Sequence, residues 1–307
     1  MEKTRTIGTL GTEPIRFVDM GHYGESAGTR DTAYYLSKVI TQNIAYAAYH
    51  QPRSVNEIAE ELGVNPIFAE DEVAVLEEYG FMNRLKNGKY LTNILIYEPN
   101  AKRTEIYKEI NPRFSKIFAE KFFAPILKKI TEIPDFLHVP EDDINLMKWS
   151  LMSFMAHKLI ISDNNDLTRF YVKRPDGGNY IAIATLDVKS DNAESYARLL
   201  EKGYLLKRSD GYKCNLIICD SEKKWLDYIP NASEEIMELA RQYTAEVEKA
   251  ELIGQPKHMH ELIKCMNGSA AWSLKTRVME HLLDMGVLKQ PTEEQAKGLC
   301  TIMFINE

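Results

Sequence analysis

Several clusters of side chains in this chain have types and spacings that invite a chemical reading. Arg84, Lys86, Asn87 and Lys89 lie around a Lys-Asn-Gly turn, and cations with an amide there suit phosphate contacts. His258-Met259-His260, with Cys265 close behind, offers metal-ligand types. On a helix, however, two residues spaced i, i+2 point roughly 200° apart, and the flanking residues read helical, so no metal is expected. GHYGESAG, from Gly21 to Gly28, has the glycine density of a phosphate cradle. It lacks the Lys-Ser/Thr that completes such a loop and the βαβ setting of a dinucleotide site. His22, His50, His138, His157 and His281 stand in no motif with a Ser or Cys nucleophile. Cys214, Cys219, Cys265 and Cys300 form no CxxC pair. The expectation is therefore no catalytic residue, no metal, no cofactor and no enzyme activity.

The elements that would position the basic turn are readable from periodicity. Tyr35, Leu36, Val39, Ile40, Ile44, Ala45 and Ala48 recur at helical spacing, and His50-Gln51-Pro52 ends the run. Ser54-Val-Asn-Glu57 is a capping box opening a short helix that buries Val55, Ile58, Ala59 and Leu62 and stops at Gly63. Asn65-Pro66 starts the next helix as N-cap and first-turn proline. That helix buries Ala69, Val73 and Leu76 and ends at Gly80. Phe81 to Leu85 and Lys89 to Ile94 read as two strands joined at Lys86-Asn87-Gly88, a strong hairpin signal.

Helix, short helix, tight turn, helix, hairpin resembles the winged helix-turn-helix. The segment NEIAEELGV…VAVLEEYGFMNRL is similar to the core of MarR-like and ArsR-like bacterial transcription regulators, over residues 31–97 only. A fainter likeness is to the winged-helix region found after the sigma domains in some sigma-70-type proteins. The resemblance implies that the helix after the turn lies in a DNA major groove and that the hairpin touches the backbone. It also implies a homodimer that reads two half-sites. On that basis the DNA-binding candidates are Arg84, Lys86, Asn87, Lys89 and Asn65.

Charge complicates that implication. Between Arg53 and Arg84 there is no Lys or Arg, and acids are frequent. At about 100° per residue, Ile67, Phe68, Asp71, Ala74, Val75 and Glu78 face away from the buried row. Base edges are read by Arg, Lys, Asn, Gln, Ser and Thr, so this face suits a protein partner at least as well. Ile67, Phe68, Asp71 and Val75 are the partner-binding candidates.

The whole chain sets the wider bounds. Its 307 residues suffice for two domains, and 44% hydrophobic with 27% charged residues marks an ordered globular composition. A net charge of −7 argues against general nucleic-acid affinity, leaving only a local basic patch. No run approaches the roughly 18 apolar residues of a membrane span, and the polar Met1 to Ile7 is no signal peptide. A cytoplasmic protein without a membrane partner is expected.

The expected fold class is α+β, divided into a flexible arm (1–30), the winged-helix domain (31–98), an α+β domain (99–254) and a second winged-helix-like subdomain (255–307). In the third part Asn111-Pro112 opens an aromatic-rich helix, and Glu141-Asp142-Asp143 opens another. Hairpins turn at Arg174 to Gly178 and at Ser209-Asp210-Gly211, with helices at 193–202 and 220–228. These hairpins are expected to make an antiparallel sheet packed by the helices. Ser233 caps a long helix whose stripe from Ile236 to Leu252 is a candidate dimer element. In the last part VMEHLLDMGVL echoes VAVLEEYGFM, with strands expected at 287–289 and 299–304. Ser273, Lys275 and Arg277 are its candidates for meeting phosphates and bases. The functional expectation is a DNA-binding transcriptional regulator with an α+β domain for ligand sensing or dimerisation. The alternative is a protein-interaction module that binds a transcription-machinery partner.

Overall fold

In the computed structural model the described residues are 14–132, 141–160, 166–186, 205–208, 211–214, 229–266, 268–290 and 303–305. Contacts divide them into two units. One holds 14–100, 166–186 and 254–265. The other holds 101–132, 141–160 and the described residues of 191–253 and 266–307. Both mix helix and strand, as an α+β chain should. The boundaries differ from the sequence-based division at 31–98, 99–254 and 255–307, because sheet pairing gathers separated stretches into the first unit.

The first unit opens with β1 (Phe17–Glu25), where a flexible arm was expected. β1 pairs antiparallel with β6 (Asn179–Leu186), from Phe17 opposite Leu186 to Glu25 opposite Asn179. Two side-chain amides anchor its lead-in. Asn43 exchanges two 3.0 Å hydrogen bonds with the backbone of Ile15, and Gln42 Oε1 accepts from Phe17 N at 2.9 Å. The expected helix over residues 31–48 is broken into α1 (Thr32–Tyr35) and α2 (Val39–Ala47), with Asp31 capping α1. α3 (Val55–Leu62) and α4 (Pro66–Glu78) start at their capping signals, while β2 (Met82–Arg84) and β3 (Tyr90–Thr92) are shorter than the expected strands at 81–85 and 89–94, Ile94 falling in the next strand. β4 (Ile94–Tyr97) then lies parallel to β6, from Ile94 opposite Ala182 to Tyr97 opposite Thr185. β5 (Val172–Lys173) forms the expected hairpin with β6. The sheet is therefore mixed rather than antiparallel, and it belongs to this unit rather than to the middle of the chain. β6 can be central because its Tyr180-Ile-Ala-Ile-Ala184 run is buried almost throughout.

Arg174 links the end of α4 to β6. Its guanidinium lies between the rings of Phe81 (4.0 Å) and Tyr180 (3.9 Å) and donates to the carbonyl oxygens of Tyr79 and Tyr180. The Asp176 carboxylate accepts from the Tyr35 hydroxyl at 2.6 Å and from Gly178 N at 3.0 Å. Gly80 has φ +70°, and a Cβ there would stand 2.5 Å from Val172 Cγ1, so both backbone twist and space require glycine.

The second unit is mainly helical. α5 (Ala101–Phe118) begins ten residues before the expected Asn111-Pro112 start and carries Pro112 inside it. Ile110, Phe114 and Phe118 are buried along it, and Ser115 Oγ donates to the Pro112 carbonyl. A π-helical turn at Ala119–Phe123 leads into α6 (Ala124–Lys128), and α7 (Glu141–Ile160) starts where its acidic cap predicts. α8 (Glu234–Glu251) is capped by Ser233 as expected. Its stripe of Ile236, Ala240, Tyr243 and Val247 is buried with Phe114, Phe118 and Leu274 inside this unit, so it is not open to a second copy. The sequence motive for dimerisation through that stripe is thereby removed.

The first unit's last helix is α9 (His260–Cys265), and the second unit continues with α10 (Gly268–Asp284). The repeated winged helix expected after residue 255 does not close on itself. Residues 287–289 form no strand; Lys289 exchanges 2.9 Å hydrogen bonds with Asn145, and its carbonyl accepts from Trp149 Nε1 at 3.0 Å. β9 (Met303–Ile305) pairs with β8 (Gly211–Cys214), which pairs with β7 (Leu205–Arg208). The expected helices at 193–202 and 220–228, the arm before residue 14, Cys219, Cys300, His138 and residues 299–302 lie outside the described residues. Among the described residues no helix is long and apolar enough to cross a membrane.

Candidate interface on the helix and hairpin of residues 55–92

The capping box at α3 forms as its sequence requires. Ser54 Oγ accepts from Glu57 N at 3.2 Å, and Glu57 Oε2 accepts from Ser54 N at 2.7 Å. The other carboxylate oxygen, Oε1, takes Lys89 Nζ at 2.7 Å. The Lys89 ammonium, with the Ser54 bonds, holds the Glu57 carboxyl down at about 2. Lys89, read from sequence as a phosphate contact, is therefore already paired with an acid of its own unit. Asn65 Oδ1 caps α4 through Ile67 N at 3.0 Å, and Asn87 Oδ1 accepts from Lys89 N at 3.1 Å. Both amide oxygens are committed to local geometry.

Arg84 and Lys86 remain as exposed cations on the hairpin. Arg84 lies 5.9 Å from the Tyr90 ring centroid. The hairpin closes through Leu85 N to Lys89 O at 2.7 Å, with Gly88 at φ +78°. Two further cations nearby are paired: Arg53 with Glu61 at 3.3 Å and Lys38 with Glu72 at 2.7 Å.

α4 buries Ala69, Val73 and Leu76 and turns the opposite face outward. Ile67 is 65% exposed, Phe68 66% and Val75 41%, among the most exposed large apolar residues of the described set. Asp71, Ala74 and Glu78 are exposed on the same face, Glu70 is exposed next to Asp71, and Glu60 is exposed on α3. None of Glu60, Glu70, Asp71 and Glu78 has a cationic partner among the described residues. The outward face thus offers apolar surface and unneutralised carboxylates. It supplies no cation for phosphate and none of the donor groups that read base edges.

The candidates near the C-terminus are not gathered into a basic face. Lys275 is fully buried, and burial pushes its ammonium down to about 8. It falls on the buried Lys275, Met279, Leu282 row of α10, two turns inside a helix that begins at Gly268. Arg277 is largely buried and reaches Glu280 on its own helix at 3.4 Å. Ser273 lies in α10, with its side chain outside the described set. A buried lysine cannot reach a phosphate, so the expected second basic surface is not formed by these residues.

His258 and His260 each bond a backbone carbonyl, of Thr92 and Gln255 respectively, at 3.0 Å. Among the described residues no group of three or more His, Cys, Asp or Glu is placed to hold a metal ion. One polar group had no sequence signal: Glu98 Oε1 accepts from the Tyr46 hydroxyl at 2.7 Å and lies 2.8 Å from His50 Nε2. Hydrogen bonding to Glu98 raises the His50 pKa against the opposing effect of burial. The partners are about fifty residues apart, beyond any local motif.

No protein-family model matches the chain, and no similar protein was found among curated proteins or solved structures.

Proposed function

We propose that residues 31–97 form a winged helix-turn-helix whose α4 acts as a protein-docking surface, making the chain an interaction module of a regulatory complex. The observation that carries this reading is the exposure of Ile67, Phe68 and Val75 between Asp71 and Glu78. Contiguous exposed hydrophobes on a rigid helix favour a macromolecular contact. Carboxylates in the same face oppose approach to DNA, since affinity there rests on neutralising phosphates. A photo-crosslinking amino acid at position 68, in the full chain in its native cells, tests the reading. One discrete protein adduct, reproduced with the purified partner and lost on Val75→Asp, is expected. Crosslinking to DNA at position 68 would overturn it.

A second reading is a weaker DNA contact through the hairpin, favoured by the exposure of Arg84 and Lys86 alone. It is tested by a salt titration of binding to genomic DNA fragments. Two phosphate contacts give a slope of about −2 in log K against log salt, and Lys86→Ala lowers it by about one. No binding at low salt removes this reading and leaves the first intact.

A further inference from the structure

Resting on the docking reading, we infer that the occupant of the α4 face is a basic amphipathic helix of a partner protein. The face is a single stripe, with apolar pairs at Ile67–Phe68 and Ala74–Val75 seven residues apart and acids at Asp71 and Glu78 at the same spacing. From Ile67 to Glu78 the stripe runs roughly 16 Å, about three helical turns. A helix docks such a stripe with anchors at i, i+3 or i+4, and i+7. The anchors of an incoming helix meet the two apolar pairs, and Lys or Arg flanking those anchors meets the carboxylates.

The charges decide the sign of the partner. From Ser54 to Asn83 the chain has no Lys, Arg or His. Lys38 and Arg53, the cations nearest in sequence before this stretch, are paired with Glu72 and Glu61. Glu60, Glu70, Asp71 and Glu78 then stand without counter-charge among the described residues, so a cationic helix gains attraction and an acidic one meets repulsion. A second copy of this chain docking by the same face would oppose Asp71 and Glu78 to their own equivalents, because a two-fold contact is self-paired. An anionic lipid surface meets the same repulsion.

The test uses the full chain and designed peptides of about three to four turns that share one Leu/Ala face. Their flanks carry Lys, Gln or Glu, and a fourth peptide scrambles the Lys sequence to abolish the apolar face. Binding is read by fluorescence anisotropy at low and high salt. The Lys peptide is expected to bind at low salt and to weaken as salt rises. Phe68→Ser should weaken it by about tenfold, and the double variant Asp71→Lys, Glu78→Lys should lose it and gain the Glu peptide. Equal binding of the Gln or Glu peptide to the unmodified chain overturns the basic partner while leaving the docking surface standing. Equal binding of the scrambled peptide also overturns it, as charge alone would then suffice. Binding of none of the peptides counts against the docking surface itself. Phe68, Asp71 and Glu78 are all exposed, so unchanged circular dichroism is expected of each variant.

Discussion

Replacing Arg174 tests whether a buried cation, rather than the apolar core alone, ties the sheet of the first unit to the end of α4. Arg174 is only 5% exposed. Its guanidinium lies against the rings of Phe81 and Tyr180 and donates to the carbonyl oxygens of Tyr79 and Tyr180, while its Nε has no hydrogen-bond partner among the described residues. Each desolvated cation–π contact contributes about 1–2 kcal/mol, and each buried carbonyl left unpaired costs about 1–3 kcal/mol. Desolvating the guanidinium opposes these gains and lowers its pKa. Arg174→Met removes the charge with its penalty but loses both ring contacts and the hydrogen bond to the Tyr79 carbonyl, for a net loss of about 3 kcal/mol. At 1.4 kcal/mol per decade this is roughly a hundredfold faster amide exchange in β1, β4 and β6. Arg174→Lys keeps the charge but lacks the planar, multi-donor geometry, and is expected to lose a similar amount. The assay is native-state hydrogen exchange read by mass spectrometry. A change under about threefold in both variants would refute the reasoning, since two lost ring contacts and a lost hydrogen bond cannot be that cheap.

Gly80→Ala and Gly88→Ala form a matched pair in urea unfolding. Both have positive φ, but only at Gly80 would the new Cβ meet Val172 Cγ1 at 2.5 Å, while Gly88 is open. Gly88→Ala should cost about 1–2 kcal/mol and Gly80→Ala about 1–3 kcal/mol more. Glu57 has a carboxyl pKa depressed from 4.5 to about 2, so its contribution to stability is complete above 4.5 and is lost as the pH falls through 2. Carboxyl NMR titration should find that shift and see it shrink in Lys89→Ala. His50 has the opposite sign: its pKa is raised by Glu98, so its contribution is present below 6.5 and lost as the pH rises through the folded value. Glu98→Gln should bring the His50 pKa down in an imidazole titration. Val247→Asp places a charge in the core of the second unit, where Val247 is 3% exposed, and should lower the thermal midpoint at any protein concentration. A midpoint that moved only with dilution would restore the dimer reading of that stripe.

Local signals carried the helix-and-hairpin segment. The Ser54–Glu57 box, Gly63 at φ +66°, Asn65-Pro66 and the Asn87-Gly88 turn act within four residues of themselves, so the chain specifies them whatever lies across the fold. The outward face of α4 was legible for the same reason, because helical geometry alone separates Ile67, Phe68 and Val75 from Ala69, Val73 and Leu76. Which cations stay available was decided only by tertiary packing. Lys89 meets Glu57 thirty-two residues away, and Lys275 lies on a face of α10 that the fold of the second unit buries, beside Leu274, Val278 and Met279. The sheet was the least readable part. β6 accepts β1 on one edge and β4 on the other across roughly ninety to a hundred and sixty residues, and backbone hydrogen bonds carry no side-chain label naming their partner. That pairing turned a glycine-rich lead-in into a strand and moved the hairpin of Arg174 into the first unit, because an exposed strand edge takes whichever extended segment the fold brings to it.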